Sequence, residues 1–307
     1  MRKILDALQS SNRRAIALSL LRIFVAVHLL KKLIFEWSHI DMMYGTTSLI
    51  SHLPFRIGNY TFDSGILREH IHLLLSLYIV VILLFFFGIG KTITNIVLLL
   101  FLATFQRLDW FILNGGDNLL FFLIFYLIFA DSYQYFSISK FKIRKEENRK
   151  LVNLLSNLAA WSIMLQFCLI YIVSALHKTH ADVWFNGVAV YYTFQLERFK
   201  GTPFNDAIAK NALFTTFATY FTIFFEMYFP VLVFNRKLKP YLVLSGIILH
   251  LGIYIFMMIY DFQWVFIITY VAYFTDEEIL AFKKKRIDPL LAKFRRSQHI
   301  PAPAFRN

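Results

Sequence analysis

The sequence predicts an all-α fold: a polytopic integral membrane bundle of about eight transmembrane helices, with both termini in the cytoplasm. Three observations predict it. Hydrophobic residues make up 58% of the 307-residue chain and charged ones only 17%, whereas soluble domains carry about a quarter. Several apolar runs reach the roughly 20 residues that a helix needs to cross a bilayer. Runs such as LLLSLYIVVILLFFFGIG do not alternate as the strands of a membrane barrel must, so they are helical.

The elements follow in order. Segment 1–14 is a basic cytoplasmic N-terminus with Arg2, Lys3, Arg13 and Arg14. The first span, 15–36, is too long and too charged for a cleavable signal and lacks a small-residue cleavage site, so it stays as a helix. Further spans are expected near 66–89, 92–108, 117–133, 151–176, 212–234, 241–259 and 262–275, of which the third, fourth and eighth in the chain are short or poorly separated. Segment 276–307 is a cytoplasmic tail. Its acidic start and basic continuation suit a short interfacial helix, and disorder is expected for the final IPAPAFRN.

The formal charge of +13 is distributed by topology. With the N-terminus inside, cytoplasmic segments collect Lys91, the Lys140–Lys150 cluster, Arg236, Lys237, Lys239 and the tail from Lys283, while outer segments hold few cations. This is the positive-inside pattern. It makes the lipid bilayer the partner of the basic surface and argues against nucleic acid. A single cysteine, Cys168, excludes an internal disulfide and a CxxC metal site, so no metal is expected. The outer segments 37–65 and 177–211 are rich in aromatics, His and Gly, which places function on the outer side.

Ionisable groups at membrane depth cost several kcal/mol unless paired or hydrated, and so mark candidate sites. Arg22 lies too deep in the first span to snorkel easily, and His28, Lys32 and Glu36 follow on one face. Lys31 and Lys32 can also be read as snorkelling, with Lys32 paired to Glu36. Thr215, Thr219, Thr222 and Glu226 form a polar stripe one turn before Pro230. The threonines suit interhelical hydrogen bonding, but a carboxylate there needs a partner. Gly246 and His250 share a face further on. In YIVSALHKTHADVWFNG, Tyr171, Ser174 and Lys178 also share a face. Spacing alone favours Lys178 as a cation capping a helix C-terminus.

The same stretch, continued to VAVYYTFQLERF, is similar to the signature of the HTTM family, the transmembrane module shared with vitamin K-dependent γ-carboxylases. LSLLRIFVAVHLLKKL resembles the module's arginine-bearing opening helix. FILNGGDNLLFFLIFYLIFADSYQYFS resembles its fourth-span segment, and FFEMYFPVLVFNRKLKPYLVLSGIILHLGIYIFMMIYDF its E-x-x-x-P and histidine helices. The resemblance implies that Lys178 is the base which accepts a proton while a reduced quinone is oxygenated, with His177 and His180 and the apolar helix end lowering its basicity. It implies Glu226 and His250 as orienting or proton-relaying groups, and Arg22, Tyr171, Ser174, Trp184 and Gly187 as lining or entry residues.

Two departures argue against glutamate carboxylation itself. Asn114, Gly115 and Gly116 stand where the carboxylases have Asn-Asn-His, so Asp117 is expected to replace the missing histidine, and the large lumenal portion is not seen. The NGGD form looks more like the sporulation-delaying protein B branch, which implies a bacterial inner-membrane protein that matures an exported peptide toxin beside a small partner protein. The leading expectation is therefore an outward-facing site where Lys178, His250, Glu226 and Asp117 act on a peptide or a hydrophobic, quinone-like substrate. The alternative is a non-catalytic scaffold or immunity-like factor that binds a peptide or partner subunit.

Overall fold

The structure is a computed structural model that describes residues 2–53, 55–57, 60–139 and 145–297. Lys140, Lys142 and Arg144 of the expected basic loop, and the IPAPAFRN tail, lie outside the described residues. The chain begins with α1 (Arg2–Ser10), α2 (Ala15–Glu36) and the short α3 (Ile40–Met43). A small antiparallel hairpin follows, in which β1 (Phe55–Ile57) pairs with β2 (Tyr60–Phe62). Next come α4 (Gly65–Glu69), α5 (Ile71–Phe87), α6 (Lys91–Leu108), α7 (Gly115–Phe129) and the 34-residue α8 (Glu146–Thr179). Three short helices, α9 (Asp182–Phe185), α10 (Ala189–Gln195) and α11 (Asn205–Ala209), lead into α12 (Ala212–Leu232) and α13 (Lys239–Met257). The described chain closes with α14 (Tyr260–Thr269), α15 (Asp276–Phe282) and α16 (Asp288–Ser297).

The fold is thus all-α apart from the hairpin, and each expected span contains a helix. Four helices, α6, α8, α12 and α13, are long and apolar enough to cross a membrane. The others differ for stated reasons. Helix α2 has 22 residues but carries Arg22, Lys31, Lys32 and Glu36. Helices α5 and α7 have 17 and 15 residues. Helix α14 has 10 and continues only as a 3-10 turn over Tyr270–Tyr273, about 20 Å in all at 1.5 Å per residue. On α13, Leu244, Ile248, Leu251 and Ile255 form an exposed apolar stripe at helical spacing, the surface a bilayer would cover.

Helix α2 runs through the core. Leu18, Leu21, Val25, Ala26 and Leu29 pack against α5, α14 and the Tyr270–Tyr273 turn. Arg22, fully buried, explains why a charge survives there. Its Nε donates to the Ser132 carbonyl at 3.0 Å, one terminal nitrogen to those of Phe85 and Phe86, and the other to those of Tyr135 and Phe136. Five donors meet five carbonyls, two from the end of α5 and three from the turn after α7. The guanidinium therefore ties three segments together and has no donor left for a substrate, unlike the binding role the sequence suggested.

The expected basic N-terminus is itself helical. Helix α1 lies against α8, where Asn153 donates to the Gln9 carbonyl and Asn157 to those of Leu8 and Ser11. At the same end, Asp276 accepts from the backbone N–H groups of Ala15 and Ile16, satisfying donors that the start of α2 leaves free. Lys239 Nζ donates to Glu278 at 2.7 Å, while Thr275 and Glu278 form a reciprocal capping box. Burial pushes the Glu278 carboxyl up, but the Lys239 and Thr275 contacts outweigh it and hold it below its ordinary value. A depressed carboxyl contributes stability above its unfolded pKa and loses it as pH falls through the folded value. In detergent-solubilised protein, Glu278→Gln should therefore lower the melting temperature at neutral pH, and the gap to wild type should close as pH falls through the lowered folded-state pKa of Glu278.

Candidate functional site

Lys178 sits in the last turn of α8. The 3.6-residue period stacks it above Ser174, and both face Glu226 on α12. Its Nζ donates to Ser174 Oγ at 2.5 Å and to the two Glu226 oxygens at 2.8 and 2.6 Å. The pair is largely enclosed, with the side chains 18% and 11% exposed. The Trp184 ring lies 5.1 Å from the ammonium, a distance at which its face attracts a cation. The spacing argument made Lys178 a helix cap, but its amine binds a carboxylate from another helix.

Trp184 belongs to α9, placed by the turn that follows α8. Gly187 closes that segment at φ 73°, where an added Cβ would stand 2.8 Å from the Tyr220 ring. The Tyr220 hydroxyl donates to the Phe185 carbonyl, and the Val190 N–H donates to Thr219 Oγ1. The segment from α9 to the start of α10 is thereby docked onto α12. The threonine stripe keeps its sequence reading at one position, where Thr219 accepts from α10. Thr215, Thr219 and Thr222 also donate to carbonyls within or just before their own helix, which satisfies their hydroxyl hydrogens locally.

A second polar set lies beside the pair. His250 Nδ1 bonds Gln263 Oε1, and its Nε2 lies 2.7 Å from the Tyr171 hydroxyl, which is 2.5 Å from that of Tyr270. An amide oxygen only accepts, so His250 carries its proton on Nδ1 and accepts at Nε2. The chain is then directional: Tyr270 donates to Tyr171, Tyr171 to His250, and His250 to Gln263. Aromatic rings of Phe167, Phe225, Phe229 and Phe266 pack around it. Tyr171 is one turn from Ser174 on α8, so the two sets share a helix face.

Other expected residues fall elsewhere. His177 is exposed, and His180 turns its Nδ1 to the Leu176 carbonyl at 2.7 Å, so neither supplies a cationic setting for Lys178. Asp117 is not part of this group. It completes the capping box of α7, accepting from the Asn114 N–H at 3.0 Å, and takes Lys32 Nζ at 2.8 Å. Lys31 pairs with Asp261 of α14 at 2.6 Å, and Lys32 also approaches Glu36 at 3.9 Å. The glycines of NGGD have a packing reason: an added Cβ on Gly116 would lie 2.7 Å from the Phe262 Cα, so α7 begins against the α14 backbone.

Sequence reasoning missed Gln263, Tyr270, Asp109 and Asp261. Gln263 and Tyr270 are seven residues apart, two helical turns, which was the available signal. Among the described residues no group of three or more His, Cys, Asp or Glu is placed to hold a metal ion. Compared with protein-family models, curated proteins and solved structures, the chain has no match.

Proposed function

We propose that the protein is a multi-pass, HTTM-type protein of the bacterial inner membrane, with about eight spans and both termini cytoplasmic. Its Lys178–Glu226 pair handles a proton at an outward-facing site. The substrate is an exported peptide under maturation or a hydrophobic, reduced-quinone-like molecule, and a small partner protein accompanies it.

One observation carries this reading. A lysine amine donates to both oxygens of a carboxylate from a neighbouring helix, beneath a tryptophan ring, in a chain built largely of apolar helices. Ion pairs cost desolvation energy at such depth and are rarely retained for stability alone. Passing one proton from Nζ to Glu226 leaves a neutral amine that can accept a proton from substrate, and Ser174 keeps it oriented. The Tyr270–Tyr171–His250–Gln263 chain fixes the packing beside it.

Lys178→Ala, in protein shown to be folded, should abolish maturation of a co-expressed exported peptide or oxidation of a reduced quinone by membranes containing the protein. Intact turnover in both assays ends the reading of Lys178 as the base. A non-catalytic scaffold is the second reading, favoured by the full occupation of the amine by Ser174 and Glu226.

A further inference from the structure

A different polar site lies between the ends of α2, α5, α6 and α7. It is a crevice holding about 30 Å³ of water-sized space, walled by Leu29, Leu33, Leu102, Phe105 and Leu120. A site needs roughly 10–15 Å³ of such space to hold one water, so one small ion with a water fits and an organic ligand does not. Its polar lining comes from Lys32, Glu36, Tyr44, Tyr78, Gln106 and Asp109.

Two of these groups have no side-chain hydrogen bond among the described residues. Tyr78 is 3% exposed and its hydroxyl has no hydrogen-bond partner. Asp109 is 7% exposed, and no hydrogen bond or ion pair reaches its carboxylate among the described residues. A buried carboxylate and a buried phenol each cost free energy when left unsatisfied. Glu36 is only partly served, by the Tyr44 hydroxyl at 3.2 Å and Lys32 at 3.9 Å.

The charges do not balance. Three carboxylates, Glu36, Asp109 and Asp117, face two cations, Lys32 and Arg68. Lys32 is drawn toward Asp117, and Arg68 spends its donors on Ser64 and the Tyr44 and Leu108 carbonyls. With all three carboxylates ionised, one negative charge would remain. Burial pushes the Asp109 carboxyl up, with Arg68 and Lys32 opposing it. The free ligand atoms are all oxygen, the donors preferred by hard cations. The ammonium of Lys32 in the same crevice disfavours a divalent ion.

We propose that Asp109, Glu36, Tyr78 and the Gln106 side-chain carbonyl form a binding site for one monovalent cation, Na+. The site is separate from the Lys178–Glu226 pair and does not depend on that pair's function. Occupancy would brace the start of α7, because Lys32 and Gln106 both bond Asp117, through its side chain and its carbonyl.

The test is thermal unfolding of the full chain in detergent, with NaCl exchanged for choline chloride at constant ionic strength and repeated across pH 5 to 9. If Na+ occupies the site, wild type melts higher in Na+ than in choline, and Asp109→Asn removes the difference. Tyr78→Phe, which keeps the ring, should weaken the Na+ midpoint about fivefold, the loss expected for one hydrogen-bonding ligand. If wild type ignores Na+ and only loses stability as pH rises, Asp109 is simply protonated and the cation site is overturned. The proposal is overturned if Asp109→Asn and Tyr78→Phe both respond to Na+ and pH as wild type does.

Discussion

Arg22→Leu should abolish accumulation of folded protein, and Arg22→Lys should not restore it. The guanidinium serves five carbonyls around the end of α5 and the turn after α7. Leucine leaves all of them unserved, at about 1–3 kcal/mol for each buried acceptor not reached by water. Lysine keeps the charge but offers three donors from one point, where arginine offers five in a planar fork. Detergent-extracted yield and size-exclusion profile of the two variants measure this directly. A monodisperse Arg22→Leu protein at wild-type yield would show that the carbonyls find other partners.

The second large effect is expected at the pair. Lys178→Met leaves Glu226 with a buried charge and no opposing cation, and Glu226→Leu strands Lys178 in the same way. Each single change should cost about 3–5 kcal/mol, while the double replacement should recover most of that loss, because an apolar pair of similar volume costs no desolvation. Melting temperatures of the three variants test it. Losses that simply add would mean that the two side chains do not interact.

Much of the architecture was legible in the sequence because apolar runs of helical length admit few alternatives. The long run 151–176 fell inside α8, and 212–234 covers α12 and the two residues after it. The short ones were less determined, and 262–275 yielded only α14 and a 3-10 turn, since an aromatic-rich run does not state where its helix ends. Glu226 was legible as a carboxylate needing a partner, and Lys178 as an amine on the face of Tyr171 and Ser174. Their contact was not, because pairing across 48 residues depends on how α8 and α12 pack.

Asp117 shows the opposite error. Its place after two glycines invited a role beside Lys178, but the position three residues after Asn114 is also that of a capping-box partner, and the helix start used it so. Arg22 was identified as too deep to snorkel. That it would be consumed by backbone carbonyls could not be read from its own helix, because every acceptor lies elsewhere in the chain.

The proton-handling role of the pair rests on lysine rather than on positive charge, so Lys178→Arg is the most direct measurement. Arginine keeps the charge and can still bond Glu226, but its pKa is too high for it to give up a proton at neutral pH. The account predicts a folded Lys178→Arg protein that has lost peptide maturation or reduced-quinone turnover as completely as Lys178→Ala. Wild-type turnover in Lys178→Arg would contradict it and take the base role away from Lys178.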